Sequence, residues 1–258
     1  MSNYQDWIKK IDIDIDYYSA FIKAWIAFNA WYRSEYIERQ DRAVIEKIKN
    51  ENNRFKTYIN NYLDSDDNIS QAFCENISKL HNALNSAAIT TQERGGTRMQ
   101  ISFTDIAINN PKTTVDETYR LYKYKIERTN TKTATNIIHK TTGANIFEFK
   151  QDLYNLDELS VHPDFVKLGE QCKAQCIANY KQVCPFLIEN LLTSNADKKN
   201  LGGTNFVNDI NKISRGIVEV LYLLRCSLMH GEMSPDNNAA EVYRYAYEIL
   251  ALVLKKLL

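Results

Sequence analysis

Glycine and proline are scarce in this chain of 258 residues, which contains eight glycines and four prolines. An average globular protein of this length has roughly 30 residues of the two types together. The shortage argues against collagen-like and low-complexity chains, and against all-β sandwiches, whose many tight turns use both residues. It favours a protein built mainly of helices, as one large domain or a domain with an insertion.

The chain also lacks net charge, since 32 lysines and arginines balance 32 aspartates and glutamates. Proteins that coat long DNA or anionic membranes usually carry a basic excess, so we expect any contact with nucleic acid to be local. No apolar run reaches the roughly 20 residues of a membrane span. The polar opening residues and the five cysteines predict a cytoplasmic protein with reduced thiols, no signal peptide and no membrane contact.

Hydrophobic periodicity divides the chain into three parts, of which the first covers about 1–94. Its apolar residues lie three and four apart, which predicts helices over Asp16–Arg39, Arg42–Leu63 and Ser70–Ala88. The stripe on the first of these helices consists of Tyr18, Ile22, Trp25, Asn29, Tyr32 and Tyr36.

The second part, about 95–150, changes to the period of a β-strand after Gly95-Gly96. Apolar and charged residues alternate over Tyr122–Glu127, and shorter strand candidates span Asn136–Lys140 and Ile146–Lys150. This pattern predicts a small antiparallel β meander, inserted into a mainly α protein that is otherwise a single domain over the whole chain.

The third part returns to helical spacing. We predict a long amphipathic helix over Phe165–Leu192, a loop at Gly202-Gly203 and a second helix over Phe206–Leu228. That second helix should end at Gly231, because glycine adopts the left-handed conformation of a helix cap without strain. Ser234-Pro235 suits the start of a last helix, which runs to the end of the chain.

Most standard catalytic motifs are missing. The chain has no glycine-rich phosphate loop, no dinucleotide-binding fingerprint, no H-E-x-x-H and no C-x-x-C pair. Cys172 and Cys176 share a predicted helix face and would need Cys184 and His162 to complete a zinc site. We favour thiols on a packed helix instead, and predict no metal and no cofactor. Two isolated histidines are expected to be structural: His81 and His139.

The most informative segment is Arg225-Cys226-Ser227-Leu228-Met229-His230-Gly231. It places an arginine about one turn before a histidine at the predicted end of a helix. The pair suits phosphodiester chemistry, because histidine transfers protons near neutral pH and arginine stabilises charge that develops on a phosphate. RNA supplies its own nucleophile, the 2′-hydroxyl, so the reaction requires no metal. The spacing alone, however, favours a structural interpretation, in which both side chains interact with the helix end.

The same segment resembles the signature of the HEPN superfamily (higher eukaryotes and prokaryotes nucleotide-binding domains), and Trp25–Tyr32 resembles the opening helix of the Apea-like HEPN group. The resemblance covers the helical parts of the chain and not 95–150. It implies an antiparallel helical bundle that forms a homodimer. Many members are metal-independent endoribonucleases of bacterial defence and toxin systems. Their subunits combine arginine and histidine in one composite site, and their products end in a 2′,3′-cyclic phosphate.

The resemblance also assigns roles to particular residues. Arg225 would bind and stabilise the scissile phosphate, and His230 would handle the proton on the 2′-hydroxyl or the leaving group. Cys226 and Ser227, the next residues of the motif, would support the site, although nuclease members commonly have a polar residue where Cys226 stands. Asn29 is the one amide on its stripe, and it either orients the catalytic pair or forms a structural hydrogen bond between helices.

The sequence therefore predicts a homodimeric, metal-independent endoribonuclease of the HEPN type, with RNA as substrate and a separately encoded antitoxin or regulatory partner. Lys123, Lys125 and Arg128 either add an RNA-facing patch on the meander or form an ordinary solvated face. Two alternatives stay open. One is a noncatalytic HEPN module that binds a nucleotide or a protein and dimerises. The other is a helical scaffold in which Arg225 and His230 only cap a helix.

Overall fold

The computed structural model describes residues 17–92 and 98–258. About 52% is helix and about 20% is β-strand, in small antiparallel sheets. The predominance of helix is confirmed. The fold is a mixed α/β structure rather than plainly a helical bundle, because short strands also lie outside the predicted meander.

The chain clusters into two compact units. The helical unit combines the described residues up to Ile106 with Glu189–Leu258, and the sheet unit is Ala107–Ile188. The sheet unit overlaps the predicted insertion at 95–150, but it starts later and continues well beyond it. Gly95-Gly96, which we predicted as the break, lies outside the described residues.

Six helices build the described part of the helical unit. They are α1 (Tyr17–Glu35), α2 (Asp41–Asn50), α3 (Arg54–Asp64), α4 (Asn68–Ala87), α8 (Ile210–Met229) and α9 (Asn237–Lys255). Helix α9 packs against α1 and α4, whereas α8 packs against α2 and α3. The predicted helix over Arg42–Leu63 is wrong as a single element. The chain breaks before Asn53, whose side chain caps α3 by accepting a hydrogen bond from the backbone N–H of Lys56. The helix predicted over Ser70–Ala88 is confirmed as α4.

Helix α1 buries an aromatic face that explains why it forms. The buried residues are Tyr18, Phe21, Ala24, Trp25, Phe28 and Tyr32. This face is rotated from the predicted stripe, because Ile22, Asn29 and Tyr36 are only half-buried. The packing partners of α1 therefore select a face that includes Phe21 and Phe28. Asp16, the predicted start of the helix, lies outside the described residues.

Two short hairpins complete the helical unit. Strands β1 (Thr90–Gln92) and β2 (Arg98–Gln100) pair antiparallel, as do β9 (Lys198–Leu201) and β10 (Thr204–Val207). The predicted loop at Gly202-Gly203 is confirmed as the turn between β9 and β10, and both glycines have positive φ. Gly202 is also required for packing, since a Cβ there would lie 2.5 Å from the backbone Cα of Glu75.

The sheet unit contains the predicted meander, enlarged by a strand. Its four strands lie in chain order: β4 (Thr114–Tyr119), β5 (Tyr122–Arg128), β6 (Thr133–His139) and β7 (Asn145–Gln151). A further strand, β3 (Ile106–Asn109), pairs with β8 (Phe186–Glu189). Three helices accompany them: α5 (Leu156–Val161), α6 (Pro163–Val166) and α7 (Glu170–Gln182). The core shared by strands and helices includes Tyr124, Ile126, Ile137, Phe147, Phe165, Cys176 and Tyr180.

The long helix predicted over Phe165–Leu192 is wrong. The chain forms α6, α7 and β8 there instead. Gly169 is the N-cap of α7, so it separates α7 from α6. Pro185 disfavours helical backbone at the residue before it, and α7 ends at Gln182.

No helix within 17–92 or 98–258 is long and apolar enough to span a lipid bilayer.

Candidate active site on helix α8

The end of α8 has the predicted left-handed cap. Gly231 has a φ of 63°, and its N–H donates to the carbonyl of Leu228 at 3.2 Å. The next N–H, of Glu232, donates to the carbonyl of Ser227 at 3.0 Å. These two bonds form a Schellman motif, in which His230 is the C-cap residue and has an exposed side chain. The start of α9 differs from the prediction, since Asp236 rather than Ser234 is its cap.

Arg225 lies five residues before His230, on a different side of α8. Its side chain is 21% exposed, and its Nη2 lies 3.4 Å from the Oδ2 of Asp41 on α2. The other carboxylate oxygen of Asp41 pairs with Arg33, which lies in the last turn of α1, directly after the buried Tyr32. We call Arg33, Asp41 and Arg225 the open cluster, because Arg225 keeps spare hydrogen-bond donors. Its Nε is buried and has no acceptor among the described residues.

A second group of charges lies nearer the start of α8. Glu219 has a side chain only 2% exposed, and its two carboxylate oxygens accept from Arg42 at 2.6 Å and from Lys49 at 2.7 Å. Lys49 also reaches Glu46, at 3.2 Å. We call Arg42, Glu46, Lys49 and Glu219 the closed cluster. Its contacts attach α2 to α8, and they fix the helix that presents Asp41 to Arg225.

Two tyrosines lie beside the charged residues of the clusters. Tyr32 is fully buried, and burial together with the charge of Asp41 raises its pKa to about 12. Burial and the neighbouring Cys226 raise the pKa of Tyr222. The guanidinium of Arg42 lies over the ring of Tyr222, 5.4 Å from its centroid. Both tyrosines therefore stay neutral. Their rings pack beside the arginines, and their hydroxyls do not act as bases.

Arg225 and His230 do not meet within the described chain. Residues of an α-helix follow each other at about 100°, so a separation of five residues places the two side chains roughly 140° apart around the axis. Arg225 is directed towards Asp41, while His230 is exposed at the helix end. The two side chains therefore point in different directions from the end of α8.

The predicted supporting residues have different environments. Cys226 is half-buried, and its sulfur lies 4.0 Å from Nη1 of Arg225, the distance of a weak contact. The hydroxyl of Ser227 is buried and donates to the carbonyl of Thr90 at 3.3 Å, which attaches α8 to β1. Asn29 is half-buried on α1 and makes no hydrogen bond to Arg225 or His230 in the described chain. Cys226 alone of the three lies against the catalytic candidates.

The three basic residues of the meander do not form one patch. Lys123 and Lys125 project from one face of β5, where Lys123 pairs with Asp116 at 3.0 Å and Lys125 is exposed. Arg128 projects from the opposite face, and its guanidinium donates to the carbonyl of Val183 at 2.6 Å and to two other carbonyls. Arg128 is therefore a structural residue that links the sheet to the chain after α7.

The other histidines and the cysteines of α7 are packed as structural residues. His81 is buried and hydrogen-bonds to Asn85 at 3.1 Å, and His139 accepts from the backbone of the following turn. His162 caps α6 through its Nδ1. Burial raises the pKa of the Cys176 thiol to about 12, as expected for an inert core thiol. No group of three His, Cys, Asp or Glu side chains able to hold a metal occurs in the residues described.

Asp41, Arg33 and the closed cluster are the residues that the sequence analysis missed. One signal was visible, since Glu219 interrupts an otherwise apolar stretch of α8 and so required a buried partner. Nothing in the sequence identified Lys49, Arg42 or Asp41 as residues near α8, because they lie 170 or more positions from their partners on that helix.

Comparison with known proteins adds no family. No family model matches the chain, and no curated protein or solved structure shows a significant similarity to it.

Proposed function

We propose that this protein is a metal-independent endoribonuclease of the HEPN type, with Arg225 and His230 as its catalytic residues. The observation that carries the proposal is the state of Arg225. It is a cation whose side chain is 21% exposed, with one long contact to a carboxylate and an Nη1 that meets only the sulfur of Cys226, within the same short segment as an exposed histidine. A guanidinium with unused donors is the group that recognises a phosphodiester.

The chemistry follows from these two side chains and the substrate. His230 accepts the proton of the RNA 2′-hydroxyl, and the resulting oxygen attacks the adjacent phosphorus. Arg225 stabilises the added negative charge on the phosphate oxygens. The bond to the 5′-oxygen breaks, and that oxygen takes up a proton, so the products carry a 2′,3′-cyclic phosphate and a 5′-hydroxyl. No metal or cofactor enters this reaction.

A homodimer with a composite site is part of the proposal. The angle of roughly 140° between Arg225 and His230 around the axis of α8 favours a site in which Arg225 of one subunit acts with His230 of the second subunit. The composition of the chain, without net charge, suits a site that needs only a few phosphate contacts. Lys123 and Lys125 are the remaining candidates for local contact with RNA.

The biological setting we propose is bacterial defence or a toxin-like stress response in the cytoplasm, with a separately encoded antitoxin or regulatory partner. This part of the proposal depends on the resemblance of Arg225–Gly231 and Trp25–Tyr32 to the HEPN signature.

The test is cleavage of RNA by the purified protein in EDTA, beside Arg225→Ala and His230→Ala. Arg244→Ala and His139→Ala are matched controls, because these residues lie on the exposed side of α9 and at the end of β6 in the sheet unit. We expect cleavage by the wild type and both controls, and its loss in both test variants. Equal cleavage by all five proteins would refute the assignment.

The second candidate is a noncatalytic HEPN module that binds a nucleotide or a protein partner. It is favoured by one observation, the thiol of Cys226 where nuclease members commonly carry a polar side chain. Absence of cleavage, together with Arg225-dependent binding of RNA or a nucleotide, would select this candidate.

A further inference from the structure

We infer that Asp41 is a positioning residue for Arg225, and that it determines how the guanidinium meets a phosphate. The inference rests on the proposed function and adds a residue from α2 to the proposed site. Asp41 lies in the first turn of α2, where the helix dipole favours a carboxylate.

The carboxylate of Asp41 bridges two arginines, and its contact with one of them is shorter than its contact with the other. Its Oδ1 pairs closely with Nη2 of Arg33, and its Oδ2 lies 3.4 Å from Nη2 of Arg225. Arg33 in turn donates to the backbone carbonyl of Glu38 at 2.6 Å, and its guanidinium lies over the ring of Tyr32. Arg33 therefore fixes the orientation of the carboxylate, and the carboxylate orients Arg225.

The geometry also indicates that Asp41 does not neutralise Arg225. Charge-assisted hydrogen bonds between nitrogen and a carboxylate are commonly about 2.7–2.9 Å long, so a contact at 3.4 Å is loose. It occupies one nitrogen and leaves Nη1 with only the sulfur contact to Cys226. The contact with Asp41 thus orients the Arg225 guanidinium, and the guanidinium keeps N–H groups that can donate to a second anion.

The position of Asp41 is fixed by the residue beside it. Arg42 forms the 2.6 Å contact with Glu219, which lies six residues before Arg225 on the same helix. The backbone that carries Asp41 is therefore anchored to the helix that carries Arg225. Such an arrangement prepares the guanidinium before substrate binds, which lowers the barrier by reducing reorganisation.

The kinetic test compares Asp41→Asn and Asp41→Glu with Glu75→Gln, which removes the charge of an exposed pair with Lys79 on α4. We expect Asp41→Asn to lower kcat about 10-fold to 100-fold with KM nearly unchanged, because orientation matters most in the transition state. Asp41→Glu keeps the charge and should recover part of the rate. Urea unfolding midpoints should differ only slightly among the three variants, with Asp41→Asn the lowest because it loses the pair with Arg33.

Three results would overturn the inference. One is a kcat for Asp41→Asn equal to that of Glu75→Gln. Another is a raised kcat with a lower KM, which would make Asp41 a competitor of the substrate phosphate. The third is a loss of rate that follows a lower unfolding midpoint without recovery in Asp41→Glu, which would make its role structural. If Asp41→Asn does not fold, Arg33→Lys takes its place, since it weakens the support of the same carboxylate.

A second readout separates this inference from the proposed function. Phenylglyoxal labels arginines, and mass spectrometry gives the extent of labelling at Arg225 alone. Inorganic phosphate should protect Arg225 in the wild type and protect it less in Asp41→Asn, whether or not RNA is cleaved. Asp41-dependent protection without any cleavage would support the positioning role and reject the ribonuclease. Cleavage that needs Arg225, with identical protection in the two proteins, would reject the positioning role alone.

Discussion

The open and closed clusters both connect α8 to α2, yet they differ in how their charges are satisfied. Glu219 of the closed cluster has both oxygens paired, at 2.6 and 2.7 Å, and a side chain 2% exposed. Arg225 of the open cluster has one ion pair in the described chain, at 3.4 Å, and a side chain 21% exposed. The difference separates a group of charges that holds helices together from a charge available for a ligand.

The comparison also shows why a charged residue on a helix does not by itself indicate a functional site. Both Glu219 and Arg225 interrupt the apolar surface of α8, and their charge and spacing along the helix do not show which of them is held by close partners. The ranking comes from the partners that the fold supplies. A buried charge with close partners on every side has no donor or acceptor left for a substrate, whereas a loosely held one does.

Glu219→Ala should have the largest effect, because it leaves Lys49 buried without its closest partner. Removing one member of a buried ion pair typically costs about 3–5 kcal/mol of the free energy of unfolding. Urea denaturation measures this change, with Glu75→Ala as a control that removes an exposed pair worth at most about 1 kcal/mol. If the two variants lose the same free energy, the closed cluster does not hold α2 to α8.

Arg225→Ala should differ from Glu219→Ala, because it should strongly reduce cleavage and barely change stability. We expect cleavage of RNA in EDTA to fall about 100-fold to 1000-fold, as when a donor to a developing anion is removed. The free energy of unfolding should change by at most about 1 kcal/mol, because the contact to Asp41 is long and partly exposed. Arg225→Lys should not restore cleavage, since an ammonium group lacks the planar fork. A large loss of stability, with normal cleavage per folded molecule, would show that Arg225 holds the helices together and does not act on the substrate.

His81 should make the stability of the protein depend on pH just below neutrality. Burial lowers the pKa of His81 below its ordinary value of 6.5, so the unfolded chain binds a proton more readily than the folded one. The free energy of unfolding is therefore greatest above pH 6.5 and decreases as the pH falls below it. In His81→Gln, the free energy of unfolding should decrease less between about pH 7.5 and 5.5 than in the wild type, as measured by chemical denaturation. An unchanged decrease would assign the titration to other groups.

Cys226→Ser should have the smallest effect. The sulfur is 4.0 Å from Arg225 and is a weak acceptor, so a hydroxyl in its place should change the cleavage rate less than about threefold. Steady-state kinetics in EDTA measure the ratio. A loss comparable to that of Arg225→Ala would show that the thiol is part of the open cluster.

Local signals in the sequence predicted much of the framework. Gly231 identified the end of α8, the glycine pair at 202–203 identified a turn, and the alternation over Tyr122–Glu127 identified β5. Each of these depends on backbone conformation or on residues close in the chain. The same reasoning predicted a continuous helix over Phe165–Leu192, because it gave too little weight to Gly169 and Pro185.

The site was predicted less completely than the framework. The sequence identified Arg225 and His230 as candidates, but for Arg128 it offered an RNA-facing patch or a solvated face, whereas the fold uses this guanidinium to bind backbone carbonyls. It also gave no indication of Asp41, whose contact with Arg225 spans 184 positions. Long-range pairs of charges depend on packing, and spacing along the chain carries no information about them.

Complementation between Arg225→Ala and His230→Ala tests the central claim most directly. The two variants, with different affinity tags, are expressed together, and the mixed dimer is purified through both tags and assayed on RNA in EDTA. The account predicts that the mixed dimer cleaves well above either variant alone, because Arg225 of one subunit acts with His230 of the other. A mixed dimer that forms but cleaves no faster than the single variants would contradict the composite site.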